Sequence, residues 1–175
     1  LTTVYTNGSP AAHYAYDANG NRTNFIVDAN DALVSYDDNI YTFDESGFLT
    51  SVTTATGASP AASGMVHHSY DAFGNLLSAS STLFAVEYSI DGLNRRIGKT
   101  VNGAFERGWI YSGSRIVGEV NASGELESVF IYASKGHAPD YMTKSGTIYR
   151  LISDHLGSIR LVVNANTGEM VQRLD

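Results

Sequence analysis

The 175-residue sequence predicts an all-β fold, an antiparallel sheet of hairpins. Three observations carry that expectation. A turn phrase, Asp or Asn followed three residues later by Gly or Asn, recurs along the chain. Between the turns, apolar and polar residues alternate with a period of two. No stretch of more than about ten residues has helical spacing. Composition agrees: 11 Tyr and frequent Thr and Val favour strands, and 17 Gly against three Pro with 43% hydrophobic residues is a globular balance.

Taken in order, the turns begin with "YDANGNRT" at 16–23, which returns as "YDAFGNLL" at 70–77. The pairs are Asp17 with Gly20, Asp44 with Gly47, Asp71 with Gly74, Asp91 with Asn94, Asn121 with Gly124, and Asp154 with Gly157. Their first members are spaced 27, 27, 20, 30 and 33 residues apart, a degenerate repeat. Asp or Asn at the first place of a type I turn accepts a hydrogen bond from an amide two residues on. Gly at the fourth place takes the left-handed conformation that closes the hairpin with a bulge. Asn94 is the next best residue for that conformation, so its substitution for Gly supports the turn. Asn7-Gly8, Asn102-Gly103, Ser112-Gly113, Ser145-Gly146 and Thr167-Gly168 mark additional turns, and from residue 90 onward the rhythm is that of a meander.

The strands follow from what lies between. In "FAVEYSID", Phe84, Val86, Tyr88 and Ile90 alternate with Ala85, Glu87 and Ser89. Val129 to Tyr132 are apolar in succession, which predicts a strand covered on both faces. Trp109 opens the strand "WIYSG" as a core residue. "TTATGASPAASG" at 53–64 reads as a loop, and "VDANDALVSYDDN" at 27–39 as an acidic, turn-rich, poorly paired strand. Tyr14, Tyr16, Tyr41, Tyr70, Tyr88, Trp109 and Tyr132 are the expected packing residues of the sheet.

Several chemistries are disfavoured. A net charge of −7, with no basic cluster beyond Arg95, Arg96 and Lys99, argues against nucleic acid as a partner. The absence of cysteine excludes disulfides and thiolate metal sites. No apolar run is long enough to cross a membrane, and the first residues carry no export signal, which would have to lie outside this chain. The repeated Asp residues have a local capping role in equivalent turns, unlike a hydrolytic carboxylate pair set across a substrate. Ser153, Asp154 and His155 are consecutive, and neighbours on a strand point to opposite faces, so a triad is not expected and His155 should pack or bond locally. His67 and His68 face opposite ways for the same reason. The expected catalytic, cofactor and metal residues are none. Arg95, Arg96 and Arg160 follow turns and should bridge rungs of the sheet.

Phrases such as "YAYDANGNRT", "YTFDESGFLT", "HSYDAFGNLL" and "EYSIDGLNRR" resemble the YD repeats of the Rhs/YD-repeat family, which includes bacterial Rhs and wall-associated polymorphic toxins, the C component of Tc toxins and the teneurins. "YRLISDHLGSIRLVVNANTGEMVQRLD" is similar to the start of the Rhs-associated core, with Asp154 to Arg160 as its hallmark. The resemblance implies a curved sheet of YD hairpins, a segment of a spiralling β-shell that in toxin members encloses a C-terminal toxic domain and in teneurins serves cell-surface adhesion. It further implies a secreted or cell-surface protein. Residues 1–175 are then one YD-repeat array cut from a longer protein, repeats over about 1–90 and the start of the core over about 91–175. By the same resemblance, the family's aspartyl self-cleavage centre and the toxin are expected downstream of Asp175.

Two uses compete within that frame. One is a non-catalytic wall segment, whose partners are the neighbouring repeats and the enclosed toxin domain. The other is an adhesive module in which Tyr14, Tyr16, Tyr41, Tyr70, Tyr88, Tyr111, Tyr132 and Tyr149 form a ladder for glycan. In either case the terminal strands of an isolated fragment expose unpaired edges and invite self-association. Gly20→Val and Gly74→Val are expected to harm folding more than Asp154→Asn disturbs any activity.

Overall fold

A computed structural model describes residues 3–6, 8–54 and 64–174, and among these every regular element is a strand. The strands are β1 (Thr3–Thr6), β2 (Ser9–His13), β3 (Ile26–Val27), β4 (Leu33–Tyr36), β5 (Asn39–Phe43), β6 (Leu49–Thr54), β7 (Met65–Tyr70) and β8 (Leu76–Ser80), then β9 (Ala85–Ile90), β10 (Arg96–Val101), β11 (Ala104–Ser112), β12 (Arg115–Val120), β13 (Leu126–Ile131), β14 (Tyr141–Lys144), β15 (Thr147–Ser153), β16 (Ile159–Asn164) and β17 (Met170–Arg173). The pair β1–β2 is a separate hairpin, and β3 to β17 form an antiparallel sheet of 15 strands in strict chain order. Two compact units divide the chain, Leu1–Ala85 and Val86–Asp175.

In the first unit, the stretch read as a poorly paired strand is two paired strands. Asp28 opens a turn whose fourth residue, Asp31, sits at φ 61°, and β4 pairs with both β3 and β5. Asp tolerates the left-handed region that the phrase usually assigns to Gly, so the turn survives without its usual spelling. Of the stretch expected to be a loop at 53–64, Thr53 and Thr54 instead end β6 and Gly64 precedes β7, while 55–63 lie outside the described residues, as does Asn7 of the Asn7-Gly8 pair.

In the second unit, β11 starts at Ala104, so Trp109 is mid-strand and half-buried instead of a core residue at a strand start. The Asn102-Gly103 turn, with both residues at positive φ, launches β11 earlier than the Trp suggested. Ile131 is 44% exposed, against the expectation of a strand covered on both faces. Nothing covers that face, because the described sheet is a single layer here.

The interior is correspondingly small. Among the described residues only Ala138, Leu151 and Val162 are buried hydrophobics, and Leu151 and Val162 face each other across β15 and β16. Ser51 and Ser128 are buried polar residues, and the hydroxyl of Ser128 finds no partner.

One irregularity recurs after the Asp turns. Register shifts leave one extra residue at Val34, Thr50, Leu77, Ile97, Glu127 and Arg160, in each case six positions after the Asp or Asn that opens the turn. Each bulge bends its strand and increases local right-handed twist.

Candidate functional site

The functional feature of this chain is its set of turns, and each is assembled by the same four hydrogen bonds. At Asp17, the amide donates to the Asn21 carbonyl (2.9 Å), the Gly20 amide donates to the Asp17 carbonyl (3.2 Å), and Oδ1 accepts from the amides of Asn19 (2.9 Å) and Asn21 (2.8 Å). Asp28, Asp44, Asp71, Asp91, Asn121 and Asp154 repeat that pattern. Gly20, Gly47, Gly74, Asn94, Gly124 and Gly157 hold the fourth place at φ between 59° and 91°. A side-chain oxygen that satisfies two amides removes the polar cost of a tight reversal.

Arginine reinforces two of these turns. Arg95 Nε donates to Asp91 Oδ2 at 2.8 Å and Arg160 Nε to Asp154 Oδ2 at 2.9 Å, each with a second guanidinium contact. The hydrogen bonds from Arg95, its side chain first and then its amide, lower the pKa of Asp91 below the ordinary carboxylate value. At Asp154 desolvation pushes upward, but bonds from Arg160, Ser158 and Leu156 prevail and the net shift is downward. The Asp154-to-Arg160 hallmark is therefore one device: cap, left-handed closure and a bulge that returns Arg160 to the cap.

Because a meander alternates its reversals between two margins, the turn at Asp91, the Gly113 turn, the loop at 132–140 and the turn at Asp154 share one margin of the second unit. They are also bonded to each other. Arg95 Nη1 donates to the Gly113 carbonyl, the Tyr132 hydroxyl donates to Ile116 O (2.9 Å), and Lys135 Nζ donates to Ser153 Oγ (2.7 Å) and to the Asp154 carbonyl (3.2 Å). The loop itself is organised by Asp140, whose carboxylate accepts the hydroxyl and amide of Ser134 and the amide of Ala133.

Those bonds, the Ser134 hydroxyl first, hold Asp140 at about 2 against an ordinary 3.8. A lowered carboxylate contributes fully above its unfolded value and loses that contribution as pH falls through the folded one. Amide exchange at Ala133 and Ser134, corrected for intrinsic rates, should be slow above pH 3.8 and quicken as pH drops toward 2. Asp140→Asn should abolish that pH dependence, and unchanged protection at pH 2 would refute the assignment.

The sheet aromatics pair with arginines. Arg22 lies 3.9 Å from the Tyr14 ring centroid, Arg96 3.6 Å from Tyr88, Arg95 4.8 Å from Tyr111 and Arg115 5.4 Å from Tyr132. Tyr70 stacks on Phe48 at 5.2 Å, Tyr41 lies opposite Val52, and Tyr16 makes an isolated bridge with Arg22. Trp109 donates to Glu119 (3.2 Å), which also meets Arg107.

No catalytic grouping emerges from the other candidates. Ser153 is held by Lys135, and Asp154 is occupied by its turn and Arg160. His155 is exposed at the second place of the turn, contrary to the expected local packing, because that place faces solvent. His67 is exposed and His68 part-buried, on opposite faces. Among the described residues no three His, Asp or Glu are grouped to hold a metal ion, and no helix is long and apolar enough to cross a membrane.

Sequence reasoning passed over the Asp28 turn, the bulge six residues on, the Asp140 loop and the Arg–Tyr pairs. "DAND" at 28–31 was the available signal for the first. The pairs join residues distant in the chain, such as Arg95 with Tyr111 and Arg115 with Tyr132, and carry no local signature.

Compared with known families, the chain matches the teneurin YD-shell family over residues 1–175. No curated protein matches it.

Proposed function

Since the chain belongs to the teneurin YD-shell family, we propose that it is a wall segment of a shell that encloses a C-terminal toxin domain in an Rhs-type secreted protein. The structural role follows from the family, which is an extracellular or surface-type one. The enclosure goes a step beyond the family. It rests on one observation: among the described residues three hydrophobics are buried, while Ile110, Leu126, Ile131, Ile148, Ile152 and Met170 of one strand system stay 41–59% exposed. A sheet that forms so little interior of its own is built to have a face covered by something else.

Protease protection in the full-length protein tests this. A domain following Asp175 should resist digestion while the wall is intact and become sensitive when Gly74→Val loosens it. Digestion of that domain at equal rates with and without the wall would overturn the reading.

The adhesive alternative calls for sugar-stacking tyrosines. The ring contacts of Arg22, Arg96, Arg95 and Arg115 on Tyr14, Tyr88, Tyr111 and Tyr132 support use of those rings inside the sheet. Specific hits on a glycan array would reverse that preference.

A further inference from the structure

Asp140 bonds to both neighbouring strands: its amide donates to the Ile131 carbonyl and its carbonyl accepts from the Leu151 amide, each at 2.8 Å. On the chain before it, residues 132–139 leave the ladder, while β15 runs on to Ser153. The missing rung is a cavity of about 370 Å³, lined from the loop by Ala133, Ser134 and Lys135 and from the sheet by Tyr141 and the stretch 150–153. Cavities of roughly 300–1,000 Å³ suit small molecules. The loop that walls this one is fixed by its own contacts. Ala138 is 2% exposed, and His137 lies so close to Gly157 that a Cβ there would stand 2.5 Å from the ring.

The charge of this cavity runs against that of the chain. Net charge is −7, and the clefts at Asp44 and Glu45 and at Glu125 and Glu127 are lined by carboxylates and by no Lys or Arg. Here Lys135 and Arg150 line the wall with one acid, Asp140. Five other cations of the second unit, Arg95, Lys99, Arg107, Lys144 and Arg160, are paired with carboxylates. Among the described residues no carboxylate pairs with Lys135 or Arg150. Asp140 is turned to its own loop, where it accepts the Ser134 hydroxyl and the amides of Ser134 and Ala133. Lys135 commits two donors to Ser153 Oγ and the Asp154 carbonyl, which hold it in place, and an ammonium has a third. Arg150 stands 5.9 Å from the Tyr141 ring centroid, at the outer limit of about 6 Å for such a contact.

We propose that this cavity binds a small monocarboxylate with an apolar body. Two cations against one acid leave a single positive charge to neutralise, so a monoanion fits and a phosphate dianion brings one charge too many. The guanidinium of Arg150 matches a planar carboxylate with two parallel donors, and Lys135 adds a point charge already held in position. Tyr141, Leu151 and Ile152 supply the apolar wall for the body of the ligand. The site lies wholly within the second unit and does not depend on what covers the exposed face of the sheet, so it stands or falls apart from enclosure.

Benzoate is the probe, and equilibrium dialysis of the radiolabelled anion against the full-length protein is the measurement. Uptake should saturate at one equivalent with a Kd at or below about 1 mM. Benzamide has the shape without the charge and inorganic phosphate the charge without the apolar body, so each should compete at least about tenfold more weakly than benzoate. Arg150→Gln should weaken benzoate by at least about tenfold. Its thermal midpoint should match the parent's, because Arg150 supplies none of the bonds that fix the loop. Arg96→Gln removes an equal charge outside the cavity, where Arg96 lies on Tyr88, and should change the affinity by less than about twofold. No saturable uptake of benzoate would sink the proposal. So would phosphate competing as well as benzoate, which indicates an ion site only, or benzamide doing so, which indicates an apolar pocket without charge selection. Equal losses in Arg150→Gln and Arg96→Gln would reduce the effect to net charge and overturn it as well.

Discussion

Gly74→Val should lower the melting temperature well below that of Gly20→Val, although both residues occupy the same place of the same turn phrase. Both sit in the left-handed region, at φ 83° and 90°, where a side chain costs about 1–2 kcal/mol. At Gly20 an added Cβ meets nothing within 4 Å. At Gly74 it would stand 2.8 Å and 2.9 Å from Cε1 and Cζ of Phe48, whose ring is held in a stack with Tyr70. Displacing a packed ring adds overpacking of about 1–3 kcal/mol. For a unit of this size each kcal/mol is several degrees of melting temperature. Asp154→Asn, which keeps the amide-accepting oxygen and loses charge on the one facing Arg160, should lower the melting temperature less than either glycine variant. Thermal melts of the three variants check the order, and equal midpoints for the two glycine variants would remove the packing contribution.

The contrast shows what the sequence could and could not tell. Asp17 and Gly20 or Asp71 and Gly74 are legible because the turn is local: cap and closure lie within five residues, and physics restricts both positions to few residue types. The Asp28 turn escaped because Asp31 occupies the glycine position at an energy cost the pattern does not encode. Phe48 over Gly74 escaped for a different reason, since it is a contact between neighbouring hairpins 26 positions apart in the chain. The family and the all-β class were legible through repetition, whereas exposure of Ile131 depended on whether a second layer exists, which a strand pattern does not state.

A sheet with so few buried side chains must draw stability from its rungs. The Arg–Tyr contacts, the tyrosine hydroxyls donating to Arg96 O and Ile116 O, and the Lys99–Glu106 and Lys144–Glu127 pairs all link segments well separated or on neighbouring strands. Exposed ion pairs alone contribute little, so the bonds to backbone and the ring contacts carry more of this cross-linking. Bulges six residues after six of the seven caps twist those hairpins alike, which lets successive rungs stack by the same geometry.

Gly108→Ala should be among the most damaging small substitutions in the second unit, and its cost should depend on Val120. Gly108 lies opposite Gly98 in β10 and opposite Val120 in β12. A Cβ there would come within 2.8 Å of Val120 Cγ2, 3.2 Å of the Ile97 carbonyl and 3.2 Å of Phe105 Cζ. Phe105 also lies 3.6 Å from the corresponding position at Gly98, so one ring covers two facing glycines and replaces the side chains they lack. Overpacking of about 1–3 kcal/mol is expected for Gly108→Ala. Val120→Ala removes the closest opposing methyl, so the double variant should be more stable than the sum of the singles predicts, by about 1 kcal/mol. Rescue stays incomplete because the Ile97 carbonyl belongs to the bulge and cannot withdraw. Chemical denaturation of the two singles and the double measures the coupling, and strict additivity would show that Gly108 is not held to glycine by the contact with Val120.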